Sequence, residues 1–243
     1  MPKFEYKAKV EYPDLDMNKK MGIRGFLKMM QEAAGMHSDV AGYGINDTEK
    51  TGVTWVILNW KLKIKDFPKC NEILTIRTWP KTFSKICSYR DFEVINEKNE
   101  IIAIATSKWI LVDSNTHSIK KITDEVINAY NVDVLEEVFN EKLTEKLTEP
   151  ADGKLLFEYK IQRRDLDTNK HVNNLNYIDF AINTLPEEIY NEKIFSNIEI
   201  MYKKELILDE DIECFYSTKE EKHVVVIKNK NEDKSLHAII KLY

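Results

Sequence analysis

The chain has 243 residues, which is enough for one large domain or for two small domains that each bury a core. Hydrophobic residues make up 43% and charged residues 32%, a composition typical of a soluble globular protein and not of a disordered one. The net charge of -5 argues against general nucleic-acid binding.

Membrane and secretory segments are not expected. No apolar run approaches the roughly 20 residues that a membrane-spanning helix needs, and the first twelve residues alternate like a strand and lack the apolar core of a signal peptide. The three cysteines, Cys70, Cys87 and Cys214, lie far apart and form no Cys-x-x-Cys pair. Such a sparse, odd set indicates reduced thiols, so we expect a cytoplasmic protein.

The first half of the chain predicts a strand over 4–12 and an amphipathic helix over 23–34. Strand-like segments rich in β-branched and aromatic residues then occur at 54–64, 72–79, 86–95 and 101–112. A helical pattern follows over 123–139, and a charged linker covers 140–153.

The second half repeats this order. It predicts a strand over 154–162, a helix over 175–185 and further strands at 194–208, 211–217, 223–227 and 235–242. A strand, a helix and a strand meander describe an antiparallel sheet packed around one helix, which is an α+β fold. We therefore expect domains over 1–139 and 154–243, joined by the linker at 140–153.

A short sequence repeat supports a tandem duplication. The segment DLDMNKKM at 14–21 returns as DLDTNKHV at 165–172, an offset of 151 residues (165 minus 14). Five of the eight positions are identical, and each copy lies between a predicted strand and a predicted helix.

The repeated Asp-x-Asp-x-Asn pattern resembles the start of an EF-hand loop, which needs Gly at its sixth position and Glu at its twelfth. The second copy has Lys170 and Asn176 there, and the first copy fails as well, so no metal site is predicted. We expect Asp14, Asp16 and Asn18 to shape the turn before the helix by binding free backbone N–H groups.

The two copies differ at one position of chemical interest, because Lys20 stands where the second copy has His171. His171 precedes a helix N-terminus and lies among Asn169, Asn173 and Asn174, where amide and N–H groups can stabilise an oxyanion. This pattern favours the second copy as the reactive one. A purely structural, hydrogen-bonded histidine is the alternative.

The segment at 164–177, RDLDTNKHVNNLNY, resembles the signature of fatty acyl-acyl carrier protein (acyl-ACP) thioesterases, the plastid enzymes and their bacterial relatives. The resemblance covers essentially the whole chain. It implies a tandem double hot-dog fold, in which each half is a curved antiparallel sheet wrapped around a central helix. It also implies hydrolysis of fatty acyl-ACP to free fatty acid and holo-ACP, with no cofactor and with ACP as partner.

Carried over residue by residue, the family's catalytic Asp, Asn and His match Asp167, Asn169 and His171. The family's glutamate, 34 residues beyond the histidine (205 minus 171) in a Tyr-basic-basic-Glu segment, matches Glu205. Many members have a cysteine next, once proposed as the nucleophile, whereas this chain has Leu206. Hydrolysis would then rest on carboxylates, the histidine and water.

The implied mechanism gives each group a role. The oxyanion would be held by N–H groups at the helix start, those of Val172, Asn173 and Asn174. Asp167, oriented by Asn169, or Glu205 would activate water, and His171 would share the proton or hold the thioester. Direct attack by Asp167 to give a mixed anhydride is left open.

Further assignments rest on the resemblance and on residue type. The non-catalytic N-terminal half would line the acyl pocket with Phe26, Met29, Met30 and Met36, for which plain core packing is the alternative. ACP is acidic, so its contact residues would be Arg163, Arg164, Lys203 and Lys204. The rival functions are acyl-CoA hydrolysis, a hot-dog dehydratase and a non-catalytic acyl-binding module. Acyl chain length and oligomeric state are left open, a homodimer included.

Overall fold

The computed structural model describes residues 3–130, 136–143, 146–231 and 233–243. The chain divides into two compact units, Met1–Leu143 and Thr144–Tyr243.

The N-terminal unit is an antiparallel sheet packed on one long helix. Its described strands are β1 (Phe4–Lys9), β2 (Val53–Ile64), β3 (Ile73–Phe83), β4 (Cys87–Ile95) and β5 (Ile101–Asp113), in the spatial order β1-β3-β4-β5-β2. Helix α1 (Ile23–Val40) packs against β1 and β3. The helices α2 (Thr48–Thr51) and α3 (Asp124–Tyr130) are short.

The C-terminal unit repeats this arrangement. Its described strands are β6 (Lys154–Lys160), β7 (Asn197–Tyr202), β8 (Asp211–Lys219), β9 (Lys222–Asn229) and β10 (Leu236–Leu242), in the order β7-β10-β9-β8-β6. Helix α4 (Asn176–Thr184) packs against β6, β8, β9 and β10, and α5 (Glu187–Glu192) follows it. The α+β prediction is confirmed in both units.

Helix α1 buries one face, as its apolar spacing predicts. Phe26, Met29, Met30 and Ala33 lie at helical spacing and are all at most 2% exposed. Burying each of the larger side chains contributes about 1.5–3 kcal/mol, so this face fixes the helix on the sheet.

The helix predicted over 123–139 is shorter in the structure. Helix α3 ends at Tyr130, residues 131–135 lie outside the described residues, and residues 136–139 are irregular. The carbonyl of Glu136 accepts the Trp79 indole N–H at 3.0 Å, and the Val138 N–H donates to Asp91 Oδ2 at 3.0 Å. The prediction is wrong for 136–139, because these backbone groups bind side chains of β3 and β4 instead of continuing a helix.

A buried polar pair lies at the C-terminal end of α1. Arg90 of β4 is 6% exposed, and its Nη1 lies 3.0 Å from Nδ1 of His37. Because arginine can only donate, this ring nitrogen accepts. Burial, together with the Arg90 charge, lowers the pKa of His37 to about 3.

This pair predicts a pH-dependent stability of the N-terminal unit. In the unfolded state His37 takes up a proton near its ordinary pKa of 6.5, whereas in the folded state it does so only near pH 3. The free energy of unfolding therefore falls as the pH falls from about 6.5 to about 3. Relative to His37→Asn, which keeps an acceptor, the wild type should lose about 1.5 kcal/mol more between pH 6.5 and 5.

Urea unfolding followed by tryptophan fluorescence measures this difference, since all four tryptophans lie in the N-terminal unit: Trp55, Trp60, Trp79 and Trp109. Parallel stability curves for wild type and variant between pH 6.5 and 5 would show that His37 does not titrate differently in the folded state.

Candidate active site

A tight turn between β6 and α4 carries the second copy of the repeat. Oδ1 of Asp167 accepts the N–H groups of Asn169 at 2.8 Å and of His171 at 3.2 Å, and the Asp167 N–H donates to the His171 carbonyl at 2.8 Å. Lys170 adopts the left-handed conformation that such a turn requires, with φ 65°. One carboxylate oxygen of Asp167 therefore holds the turn.

The first copy forms the same turn. Oδ1 of Asp16 accepts the N–H groups of Asn18 at 2.8 Å and of Lys20 at 3.2 Å, and Lys19 has φ 61°. Oδ2 of Asp14 accepts the Glu11 N–H at 3.0 Å. The prediction that these aspartates shape the turn is confirmed. The repeat is thus explained by local structure that both units need.

The turn of the C-terminal unit pairs with the loop that follows β7. His171 forms an isolated β-bridge with Ile207, and the Val172 N–H donates to the Leu206 carbonyl at 2.8 Å. This pairing brings Nε2 of His171 to 3.3 Å from Oε2 of Glu205. The His171 side chain is 20% exposed and that of Glu205 is 48% exposed, so solvent reaches both. Two candidate residues far apart in sequence are therefore in contact.

The equivalent loop of the N-terminal unit lacks both groups. There Lys20 bridges with Lys69, and the Met21 N–H donates to the Pro68 carbonyl at 2.8 Å. In this register Lys20 takes the place of His171 and Phe67 takes the place of Glu205. The backbone is duplicated, whereas the histidine–carboxylate pair belongs to the C-terminal unit alone.

Asp167 lies in the same turn as His171 and accepts its backbone N–H. Tyr177 is 2% exposed, and burial raises the pKa of its phenol, which the carboxylates of Glu205, Glu210 and Asp167 raise further. The fields of these carboxylates therefore all reach one buried hydroxyl. Oδ2 of Asp167 forms no hydrogen bond within the described ranges.

Asn169 binds Asp167 through its backbone, whereas the prediction is that its side chain orients this carboxylate. Its backbone N–H, and not its side-chain amide, binds the carboxylate, and the side chain is exposed. Within the part of the chain that the structure describes, that amide forms no hydrogen bond, so the predicted orientation of Asp167 by this side chain is not observed.

The predicted oxyanion site is largely wrong. The Val172 N–H is used by the Leu206 carbonyl, and the Asn173 N–H donates to the Asp165 carbonyl at 2.8 Å. The pairing that brings His171 to the loop consumes these donors, and α4 begins only at Asn176. The N–H of Asn174 forms no hydrogen bond to any described residue, so it is the one donor of the three that is available.

The loop that carries Glu205 is attached to β10 through a residue that the sequence did not single out. His237 is completely buried; its carbonyl accepts the N–H groups of Lys203 at 2.8 Å and Lys204 at 3.4 Å. Nδ1 of His237 lies 3.0 Å from the Lys204 carbonyl. These contacts end β7 at Tyr202, which explains why the strand predicted over 194–208 is shorter.

The acyl-pocket candidates divide into two groups. Phe26, Met29 and Met30 are buried in the face of α1 that packs on the sheet, whereas Met36 is 42% exposed at the edge of that face. All four residues stay predictions as lining of an acyl pocket.

The four basic candidates are all exposed. Arg163 and Arg164 form a short 3₁₀ turn before Asp167, and Lys203 and Lys204 directly precede Glu205.

Among the described residues, no group of three or more His, Cys, Asp or Glu side chains could hold a metal ion. No described helix is both long and apolar enough to cross a membrane.

Comparison with known families assigns both units. The family model of the acyl-ACP thioesterase N-terminal domain matches residues 2–130, and that of the acyl-ACP thioesterase C-terminal domain matches residues 148–241. The chain belongs to the acyl-ACP thioesterase family. The unit that carries the His171–Glu205 pair is thus the family's C-terminal domain.

Named relatives agree with this assignment. The chain is 28% identical to oleoyl-ACP thioesterase 2 of Arabidopsis thaliana over 91% of its length, and 26% identical to the oleoyl-ACP thioesterase of Coriandrum sativum over 92%. It spans 65% of the length of each of these chloroplastic proteins.

In structure, the chain resembles an acyl-ACP thioesterase from Bacteroides thetaiotaomicron, with a TM-score of 0.85, 22% identity and coverage of 98% of this chain and 96% of the other. It also resembles the 12:0-ACP thioesterase from Umbellularia californica, with a TM-score of 0.83, 20% identity and coverage of 98% of this chain and 95% of the other. The predicted double hot-dog fold is confirmed.

Proposed function

We propose that this chain is a thioesterase that hydrolyses fatty acyl-ACP to free fatty acid and holo-ACP. The observation that carries the proposal is the contact between His171 and Glu205, which occurs only in the unit that matches the family's C-terminal domain. Family membership supports acyl-ACP as substrate, and the first unit, with its buried Phe26, Met29 and Met30, is proposed to receive the acyl chain.

In the proposed reaction, His171 acts as general base toward a water molecule, and Glu205 stabilises the imidazolium that forms. The water attacks the thioester carbon, and the Asn174 N–H stabilises the oxyanion, a contribution on the order of 100- to 1,000-fold. The tetrahedral intermediate then expels the ACP thiolate, which takes the proton from His171. Oδ2 of Asp167 orients the water, and direct attack by this oxygen is the alternative route.

A cysteine nucleophile has no support at this site. The position after Glu205 is Leu206, which is completely buried. Cys214 is also completely buried, and burial raises the pKa of its thiol to about 12, which leaves almost no thiolate at neutral pH. Hydrolysis by activated water is therefore the route that the side chains favour.

Lys203 and Lys204 are proposed to contact acidic ACP beside the site. Replacing both lysines with glutamate should raise KM for acyl-ACP about three- to tenfold at low ionic strength, with little change in kcat. Charges at the edge of an interface mainly change the rate at which the two proteins associate, and salt screens this effect. The same reversal at Lys219 and Lys222, exposed lysines elsewhere in the unit, is the control. A KM that does not respond to charge or salt would remove these residues from the docking surface.

The proposal is tested by thiol release from acyl-ACPs of C8 to C18, with the matching acyl-CoAs alongside. We expect faster release from acyl-ACP, with free fatty acid as product. Faster release from acyl-CoA would mean that the chain is a thioesterase whose substrate carrier is CoA. Dehydration of the acyl chain without thiol release would indicate a dehydratase. Binding of acyl-ACP without turnover would indicate an acyl-binding module. A cytoplasmic location and a homodimer stay predictions.

A further inference from the structure

The internal duplication provides a reference for the active site, because each residue of the C-terminal unit has a counterpart in a unit without the histidine–carboxylate pair. Tyr177 corresponds to Phe26 through the repeat offset of 151 residues (177 minus 26). The carbonyl of Ile102 accepts the N–H groups of residues 65 and 66, at 2.7 and 3.2 Å, as the carbonyl of His237 accepts those of residues 203 and 204. His237 therefore corresponds to Ile102, and Tyr202 to Ile64.

The C-terminal unit thus has three polar side chains where the N-terminal unit has three apolar ones. Ile64 and Ile102 are each 3% exposed, and Phe26 is completely buried, so the fold accommodates apolar residues at these positions. Tyr177 and His237 are 2% and 0% exposed, and burying such groups costs free energy unless they are hydrogen-bonded. The fold itself does not require them.

Two of these side chains hold the backbone on either side of Glu205. The Tyr177 hydroxyl accepts the N–H of Leu206 at 3.2 Å, and Leu206 is completely buried. Nδ1–H of His237 donates to the Lys204 carbonyl at 3.0 Å, the only direction that a carbonyl allows. Burial lowers the pKa of His237, so the ring is neutral and keeps this tautomer at neutral pH.

The third side chain binds the carbonyl of Asn174, the residue whose N–H group is available. The Tyr202 hydroxyl donates to the Asn174 carbonyl at 3.1 Å. The ring of Tyr202 meets that of Tyr177 edge-on, with centroids 5.3 Å apart, so the two phenols form one packed pair.

We infer that Tyr177, Tyr202 and His237 are positioning residues of the active site: Tyr177 and His237 hold Glu205 against His171, and Tyr202 holds the N–H of Asn174 toward the substrate. This inference rests on the proposed function. None of the three touches the reacting atoms, and each acts through the backbone of a residue that does.

The test replaces each residue with an apolar one: Tyr177→Phe and His237→Ile, which introduce the residues of the N-terminal unit, and Tyr202→Phe. We expect kcat for acyl-ACP to fall about 10- to 100-fold, since a shift near 1 Å at a catalytic group has effects of this order. KM and the melting temperature should stay close to wild type. His237→Asn, which retains a donor at the Nδ1 position, should recover most of the lost rate.

The matched control is Tyr216→Phe, which removes another largely buried tyrosine hydroxyl of the same unit, one bound to Nδ1 of His223 at 2.7 Å. It should leave kcat unchanged. In a Glu205→Gln background the loss caused by His237→Ile should disappear, because His237 acts through Glu205. An equal fold-loss in both backgrounds, or an unchanged kcat in the single variants, would overturn the inference.

Amide hydrogen exchange separates this inference from the proposed function. The Leu206 N–H should exchange slowly in the wild type and much faster in Tyr177→Phe, whatever the substrate. Absence of thiol release by the wild type would refute the proposed function, whereas unchanged exchange of the Leu206 N–H would refute the positioning role of Tyr177.

Discussion

Replacing Glu205 with glutamine should lower kcat for acyl-ACP hydrolysis about 100- to 10,000-fold, because His171 acts as an effective general base only when Glu205 stabilises its charged form. The amide has the size of the carboxylate but cannot stabilise a charged His171 at 3.3 Å. Because the Glu205 side chain is 48% exposed, and exposed ion pairs contribute little to stability, the melting temperature should hardly change.

The matched control is Glu158→Gln in the same unit. Glu158 is 49% exposed and is paired with a basic side chain, Lys230, at 2.6 Å, so it reproduces the exposure and pairing of Glu205 away from the site. Its rate should equal that of the wild type. If Glu205→Gln hydrolysed acyl-ACP at the wild-type rate, the pair would be an ordinary surface contact.

The second large effect uses the duplicated turn as an internal control. Asp167→Asn and Asp16→Asn each keep the side-chain oxygen that accepts two backbone N–H groups, so both variants should keep the fold, with similarly small shifts in melting temperature. Only Asp167→Asn removes a carboxylate beside the His171–Glu205 pair. We expect it to lower kcat about 100-fold or more.

Steady-state thiol release and thermal unfolding of the two variants measure this difference. Full activity of Asp167→Asn, together with an equal change in melting temperature for both variants, would mean that Asp167 does only what Asp16 does. A strong loss of activity in Asp16→Asn would contradict the assignment of the chemistry to the C-terminal unit.

Much of the fold could be predicted because its signals are local. Apolar spacing located α1 and α4, alternation located most strands, and the DLDxNK repeat identified the duplication. The repeat also predicted its own structural role, since aspartate and asparagine favour this turn in any context. The segment 136–139 was misjudged because its hydrogen bonds to Trp79 and Asp91 come from residues distant in sequence.

The site could be predicted only in part for a related reason. The residue types and the family signature indicated His171 and Glu205, and their contact depends on a β-bridge between His171 and Ile207 that no periodicity encodes. The same bridge uses the N–H of Val172, so the pairing that assembles the site also invalidated most of the predicted oxyanion site.

His237 illustrates the residues that sequence reasoning missed. It is the one histidine in a mostly apolar strand, and its contact with the Lys204 carbonyl spans 33 residues. The backbone hydrogen bonds that the two units share show that it stands where the N-terminal unit has Ile102.

A double-mutant cycle on His171 and Glu205 tests most directly whether these two residues act as one catalytic unit. Single-turnover thiol release from acyl-ACP is measured for the wild type, His171→Gln, Glu205→Gln and the double variant. The proposed mechanism predicts that the double variant is about as slow as the slower single variant, because either change disables the same base. Rate losses that multiply, or a single variant with wild-type activity, would contradict it.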